Sequence, residues 1–185
     1  MAPPASSPPQ ASPALQWASP VQHEAFLAGP TPQVASGGWG SGKTYVYCLK
    51  ILRLADKFPE SRWLIFRRVG KDLRATTMAT FYKLCPPSAY TQGGSRNDQE
   101  GKLRLNNGST ILFMHLEDPN IQGIIKGLEL NGFFGDQAEE DPTHMEEIFD
   151  LLLARLSRWD VAIVPVEVLR QHEAATGTPW PYVNP

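Results

Sequence analysis

Residues 37–44 read GGWGSGKT and satisfy the pattern G-x-x-x-x-G-K-[ST] at every fixed position. The segment before them, Thr31 to Ser36, is short and partly apolar. The segment after them, TYVYCLKILRLADKF, has the apolar spacing of a helix that packs on a sheet. Strand, glycine-rich turn and helix in this order are the context in which the pattern binds phosphate. A flexible glycine turn is the alternative interpretation, and the flanking elements favour a phosphate-binding loop.

Each residue type in this loop has a chemical role in binding a nucleoside triphosphate. The glycines let backbone N–H groups turn toward an anion, and the following helix adds the positive end of its dipole. Lys43 is expected to reach the β- and γ-phosphates, and Thr44 to ligate magnesium. The predicted cofactors are therefore ATP and Mg²⁺. The predicted nucleotide-binding residues of the loop are Gly37, Gly38, Trp39, Gly40, Ser41, Gly42, Lys43 and Thr44.

Three further stretches predict the elements around the loop. An apolar strand is expected from Trp63 to Phe66, and VGKDLRATTMATFYKL then has helical spacing until Pro86-Pro87 ends it. The stretch KLRLNNGSTILFMHL alternates around Asn107-Gly108, a dipeptide that favours a tight turn, so a β-hairpin is predicted. The stretch LNGFFGDQAEEDP predicts a buried strand ending at Asp136, and Asp141-Pro142 then begins an amphipathic helix.

Helices alternating with apolar strands predict an α/β fold with a P-loop NTPase (RecA-like ASCE) core. The expected sheet is mostly parallel, with helices on both faces and the β-hairpin as an insertion. Ligands bind at the carboxyl ends of the strands in such sheets, where the loop and Asp136 both fall. The expected organisation is a disordered Pro/Ala/Ser-rich tail over 1–20, the ATPase core over 21–160, and a truncated C-terminal part of that core over 161–185.

Composition excludes several kinds of site. The 185 residues carry a net charge of −2, so no overall basic field indicates nucleic-acid binding. Cys48 and Cys85 lie far apart without a C-x-x-C pair, and buried reduced thiols are predicted. The four histidines lack the spacing and the cysteine company of zinc sites. No apolar run is long enough to cross a bilayer, and the first twenty residues do not match a secretion signal, so a cytosolic protein is expected.

A second motif, Phe133-Phe134-Gly135-Asp136, resembles the strand that places an aspartate beside magnesium in P-loop enzymes. An apolar run ending in Asp is also a common strand end, and the upstream loop favours the metal role. Hydrolysis also needs a group that activates water, normally a glutamate close behind this aspartate. The next residue is Gln137. Glu139 and Glu140 follow, and either could reach the water or be a solvated acid near a helix start; Glu139 is the predicted catalytic base.

In this order the motifs resemble the ATPase domain of the large terminase subunit of tailed bacteriophages, the motor that packages DNA into capsids. The resemblance covers about Pro20 to Arg158. The Walker motifs within it are generic, whereas the stretch from the hairpin to the second motif is more specific. The segments that carry the resemblance are PVQHEAF, GGWGSGKT, WLIFRRVGKDLRATT, NNGSTILFMHLEDPNIQGIIKGLE, GFFGDQAEE and LLLARLSR.

The resemblance implies a role for each matched residue. Gln22 would read adenine, and Lys43 and Thr44 would bind phosphate and magnesium. Asp136 would hold the metal, and Glu139 would be catalytic. These implied roles agree with the chemistry that the residue types support.

The resemblance also marks departures from the family pattern. Lys126 lies where related motors carry an arginine that completes a neighbouring subunit's site, although a lysine lacks the planar bidentate fork. One interpretation is that Lys126 is a solvated lysine in a turn. The prediction is that Lys126 has a catalytic role in the site of a neighbouring subunit. Trp39 replaces a basic loop residue of many terminases, and Gln137 replaces the usual acid after the aspartate.

Four arginines match basic positions of the family, and we predict local pairing with carboxylates or carbonyls for them rather than DNA contacts. They are Arg67, Arg68, Arg155 and Arg158.

The function that the resemblance implies is an ATP-driven motor subunit that moves double-stranded DNA. Its partners would be the portal protein and the small terminase subunit, within a homo-oligomeric ring in the cytoplasm of an infected bacterium and without a membrane. A complete terminase continues with further ATPase strands and a nuclease domain, so a fragment or truncated product is expected. The alternatives are another P-loop enzyme, such as a helicase or small-molecule kinase, and a nucleotide-binding assembly module without hydrolysis.

Overall fold

A computed structural model describes residues 20–27 and 40–156, which form a five-stranded sheet with helices packed against it. The strands are β1 (Arg62–Arg67), β2 (Ser95–Asn97), β3 (Lys102–Arg104), β4 (Thr110–His115) and β5 (Gly132–Asp136). The helices are α1 (Pro20–Leu27), α2 (Lys43–Lys57), α3 (Gly70–Asp72), α4 (Ala79–Leu84), α5 (Ile121–Lys126) and α6 (Pro142–Leu156). A π-helical segment (Leu73–Met78) joins α3 to α4, and short 3₁₀ turns cover Pro87–Ala89 and Ala138–Glu140.

The described sheet is mixed, with strand order β2-β3-β4-β1-β5. Strand β1 pairs in parallel with both β4 and β5, whereas β3 pairs antiparallel with both β2 and β4. The predicted hairpin around Asn107-Gly108 is confirmed, but it extends the sheet itself through β3. For this reason the mostly parallel sheet expected from the sequence is not what the described residues form. The predicted strand from Thr31 to Ser36 lies outside them.

Helices cover both faces of this sheet, as the sequence predicts. The side chains of β1 alternate: Trp63 and Ile65 point to a first face, and Leu64 and Phe66 to a second. The first face packs against α2, the π-helical segment and α4, and the second against α5 and α6. Because β1 is buried on both faces, its sequence is a continuous apolar run with arginines only at its ends.

Helix α2 is amphipathic, and its buried stripe fixes it on the first face. Cys48, Ile51 and Ala55 point into the core there. The ring of Tyr47 stacks on Phe134 of β5 with centroids 5.0 Å apart. These contacts hold the start of α2 beside the carboxyl end of β5.

Of the remaining predictions, some are confirmed and others differ from the structure. Cys48 and Cys85 are buried free thiols, as expected. Residue Pro20, assigned to the tail, is the first residue of α1, and residues 1–19 and 157–185 lie outside the described part of the chain. Helix α1, β2, α5 and the π-helical segment were not predicted. Among the described residues no helix is long and apolar enough to cross a membrane.

We predict that Gly135→Ala destabilises the fold, because an added methyl group at this position would lie 2.7 Å from Cζ of the buried Phe66 ring and 3.1 Å from Phe149. Overpacking of this kind costs about 1–3 kcal/mol. The matched control is Gly127→Ala, where φ is −86° and the new methyl group meets only a carbonyl at 3.4 Å. Urea denaturation of the two variants measures the difference, and equal free energies of unfolding would contradict this packing.

Candidate functional site

The described part of the predicted phosphate loop, Gly40 to Gly42, leads directly into α2. Gly40 and Gly42 have φ of 75° and 79°, a left-handed conformation that glycine adopts without strain. Helix α2 begins at Lys43, and the amide of Val46 donates to the Gly42 carbonyl at 3.0 Å. The Lys43 Nζ lies 3.4 Å from the Ser41 hydroxyl. The loop therefore ends at a helix N-terminus, as anion binding requires; Gly37, Gly38 and Trp39 lie outside the described residues.

The two predicted motifs meet at the carboxylate of Asp136. The hydroxyl of Thr44, in the first turn of α2, donates to Asp136 Oδ1 at 3.0 Å, across 92 residues of sequence. The hydroxyl of Thr77 donates to Asp136 Oδ2 at 2.6 Å. Asp136 is 6% exposed, so both hydrogen bonds satisfy a carboxylate that water scarcely reaches. Thr44 and Asp136, the predicted magnesium pair, are thus brought together.

Thr77 contacts the candidate site through Asp136, although nothing in the sequence predicts this contact. It lies in the π-helical segment, fully buried, and threonine within a helical run carries no signal that it will reach a carboxylate 59 residues away. π-Helical turns are rare and occur often at functional sites. The feature that identifies Thr77 is the hydrogen bond from the π turn to Asp136, and this feature is visible only in the structure.

The donor set fits magnesium better than a transition metal. Mg²⁺ prefers oxygen ligands and binds through one or two carboxylates together with water and substrate phosphates. Thr44 and Asp136 supply a hydroxyl and a carboxylate at one point beside the loop. Within the described ranges no group of three His, Cys, Asp or Glu side chains is placed to hold a metal. Burial and the negative charge of Asp136 raise the pKa of the nearby Cys48 thiol, which favours the neutral form over a metal-binding thiolate.

Gln22 contacts the predicted phosphate loop from α1. Its side-chain amide donates to the Ser41 carbonyl at 2.8 Å, and a side chain at Gly42 would collide with the same amide group. Lys50 of α2 donates to the Ala25 carbonyl at 3.0 Å and ties α1 to α2. The structure therefore places Gln22 against the loop, while its predicted contact with adenine stays a prediction.

Arg67 organises the carboxyl end of β1 beside Asp136, with which it is in register. Its guanidinium donates to the Thr76 hydroxyl at 2.7 Å, to the Gln137 side chain, and to Glu140 Oε1 at 2.9 Å. Gln137 has φ 59° and ψ 50°, a left-handed conformation that costs a non-glycine residue free energy. The hydrogen bond from Arg67 holds Gln137 in that conformation, so the chain turns sharply after Asp136.

The turn after Asp136 separates the two glutamates considered as catalytic bases. Glu140 is half-buried, and its carboxylate pairs with Arg67 while its carbonyl accepts a hydrogen bond from Arg68 at 3.1 Å. Glu139 is exposed, and no hydrogen bond or ion pair joins its side chain to another described residue. The Glu140 carboxylate is paired within the turn, whereas the Glu139 carboxylate is accessible and lies three residues after Asp136.

Lys126 lies away from this cluster. It is exposed at the end of α5 and borders a cavity of about 540 Å³ whose other lining residues include Glu117, Asn120 and His144. None of Lys43, Thr44 and Asp136 lines that cavity. The Lys126 carbonyl accepts a hydrogen bond from Arg155 at 3.0 Å.

The three family-matched arginines that the structure describes pair with carboxylates or carbonyls, as predicted, but their partners lie 29 to 73 residues away in sequence. Arg67 and Arg68 pair as above, and Arg155 bonds a carbonyl. Arg158 lies outside the described residues.

We predict that Thr77→Val weakens the fold, because it keeps the side-chain shape but leaves Asp136 Oδ2 buried without a donor. An unsatisfied buried acceptor costs about 1–3 kcal/mol. Urea denaturation measures the loss, and Thr91→Val, at an exposed position with the same chemical change, is the control. A Thr77 variant as stable as the Thr91 variant would contradict the role of this hydrogen bond.

Comparisons with known proteins support the fold. No protein-family model matches the chain, and no curated protein matches it in sequence. Among solved structures, the large terminase from a thermophilic bacteriophage is similar, with a TM-score of 0.55 and 21% sequence identity. The match covers 65% of this chain and 30% of that protein, so the chain spans less than a third of its neighbour. At this identity the likeness establishes a terminase-like fold.

Proposed function

We propose that this chain is the ATPase part of a DNA-packaging motor, a large terminase subunit that couples Mg²⁺-dependent ATP hydrolysis to translocation of double-stranded DNA. The observation that carries the proposal is the hydrogen bond between Thr44 and Asp136, which joins a phosphate-loop helix to the end of a neighbouring strand. The terminase-like fold agrees with it. Its partners would be a portal protein and a small terminase subunit, in a homo-oligomeric ring in the cytoplasm of an infected bacterium.

The proposed reaction is attack of water on the γ-phosphorus of ATP, which releases ADP and phosphate. Bound magnesium would neutralise charge on the phosphate oxygens and would be held by Thr44 and Asp136. Lys43 would stabilise the negative charge of the transferred phosphoryl group. The Glu139 carboxylate would accept the proton of the attacking water.

The turn that Arg67 holds has a positioning role in this scheme. By binding Gln137 and Glu140, Arg67 fixes the residues on either side of Glu139. Arg67 touches neither phosphate nor water in the proposed reaction. It acts by keeping Glu139 at a constant distance from Asp136.

A second candidate function is nucleotide binding without turnover. The specific observation in its favour is Gln137, which stands at the usual position of the catalytic acid and whose side chain is bound by Arg67. In that case the loop would bind ATP and the chain would act as a nucleotide-dependent assembly module. Measuring phosphate release from ATP distinguishes the two functions, because only the first requires hydrolysis.

We predict that Lys43→Ala lowers phosphate release by at least about 100-fold, because the transition-state charge loses a positioned cation. The purified protein is assayed with ATP and Mg²⁺, and nucleotide affinity is measured by calorimetry. Lys71→Ala, at an exposed lysine on α3, is the matched control and should retain turnover. Unchanged turnover in the Lys43 variant would place the ATP site elsewhere.

The catalytic base is tested with a matched pair of variants, Glu139→Gln and Glu140→Gln. We expect the first to lower turnover by about 10²–10⁴-fold with unchanged ATP affinity, since it removes only the proton acceptor. The second should lower stability, because it removes the ion pair with Arg67, while retaining measurable turnover. The reverse pattern would transfer the base to Glu140, and no turnover in the parent protein would favour the binding module.

A further inference from the structure

Helices α5 and α6 cover only part of the second face of the sheet. At the end of the sheet near the β3–β4 hairpin, three exposed cations lie on this face. They are Arg62 at the start of β1 and Lys102 and Arg104 on β3, and all three are exposed. None of their side chains forms a hydrogen bond or ion pair with another described residue. We call these three residues and the polar side chains beside them the basic sheet face.

Strand register places the three cations on one side of the sheet. Arg62 pairs with Thr110 of β4, which pairs with Arg104 of β3, so the two arginines lie in one row. They are two strands apart, about 10 Å. Lys102 points to the same side as Arg104, two residues along β3, about 7 Å away. Strand pairing therefore fixes the backbone positions of the three cations in a triangle.

The surroundings of the triangle are polar, and their acids lie in turns rather than on the strands: Glu60 is exposed two residues before Arg62. Ser95 pairs with Arg104, Asn97 pairs with Lys102, and both β2 residues are exposed. Strands β1 to β4 contain no Asp or Glu. In the turn between β2 and β3, Asp98 is neutralised by two hydrogen bonds of 2.7 Å from Arg96, and Glu100 is exposed. The strand positions of this face thus carry three cations and no acid, although the whole chain is slightly acidic.

We propose that the basic sheet face binds the phosphate backbone of double-stranded DNA. Phosphates are bound by Arg and Lys together with Ser, Thr and Asn side chains, which is the composition of this face. The choice of partner rests on the proposed function, which requires a duplex to be moved.

A membrane or a hydrophobic protein partner fits this surface less well. The large exposed apolar side chains of the described residues lie on helices, away from these strands: Leu27, Tyr45, Ile124 and Leu153.

The basic sheet face and the nucleotide site lie at opposite ends of β1. Arg62 begins the strand and Arg67, in register with Asp136, ends it, so the two ends are about 16 Å apart at the usual rise per residue. DNA on this face would not cover the phosphate loop. The six residues of β1 join the two sites through one buried strand.

The test is binding of a labelled duplex of about 20 base pairs to the whole chain without nucleotide, followed by fluorescence anisotropy between about 50 and 200 mM salt. The variant Arg62→Gln/Lys102→Gln/Arg104→Gln should reduce the slope of log affinity against log salt by about 2.7, because each phosphate contact contributes about 0.9. Across this salt range the parent would then lose about 40-fold more affinity than the variant.

The control, Arg53→Gln/Arg74→Gln/Lys83→Gln, removes two arginines and one lysine from exposed positions on α2, the π-helical segment and α4, and should bind like the parent. The charge-preserving Arg62→Lys/Arg104→Lys should also bind, and circular dichroism checks that each variant is folded. Equal losses in the two triple variants, absence of duplex binding by the parent at the lowest salt, or preference for an acidic protein over the duplex would overturn the proposal. A chain that binds the duplex through this face yet releases no phosphate from ATP would contradict the proposed function alone.

Discussion

The buried carboxylate of Asp136 is the point on which the described structure depends. A carboxylate at 6% exposure must have donors or it destabilises the fold, and here each oxygen has one: Thr44 from α2 and Thr77 from the π-helical segment. These two hydrogen bonds connect three elements that are distant in sequence. They place the start of α2, the end of β5 and the π-helical segment around one negative charge. The chemistry proposed for the site follows from that placement.

A second charged group, the guanidinium of Arg67, lies beside the Asp136 carboxylate. Arg67 is nearly buried, and a buried guanidinium is favourable only when its donors are satisfied. Thr76, Gln137 and Glu140 supply three acceptors, so the positive charge is compensated next to the negative charge of Asp136. The Nε of Arg67 and Oε2 of Glu140 remain buried without a partner among the described residues, which leaves the network partly unsatisfied. The network holds the turn after Asp136 and leaves the Glu139 carboxylate accessible.

The sequence was sufficient for the elements whose signals are local. Four features depend on neighbouring residues and agree with the prediction. They are the start of α2 at Lys43, the apolar run of β1, the Asn107-Gly108 turn and the start of α6 at Pro142. Pairing between strands is not local. The hairpin is part of the main sheet, since its strand β4 pairs with β1 on one side and with β3 on the other. Nothing in KLRLNNGSTILFMHL specifies that β4 pairs with β1. The contacts of Thr77 and Arg67 were unpredictable for the same reason, since they cross 59 and 73 residues.

The π-helical segment also limits how the chain can change in length. A π turn accommodates one more residue than an α turn, and successive residues of a helix differ by about 100° in direction. Loss of one residue between α3 and α4 would restore a continuous α-helix with both flanks in register, but it would remove the widened turn and redirect the side chains that this turn carries. Thr76, beside Arg67, and Thr77, beside Asp136, could then no longer both keep their partners. Deletion of one residue here would therefore be compatible with helix formation but would break a hydrogen bond of Thr76 or Thr77.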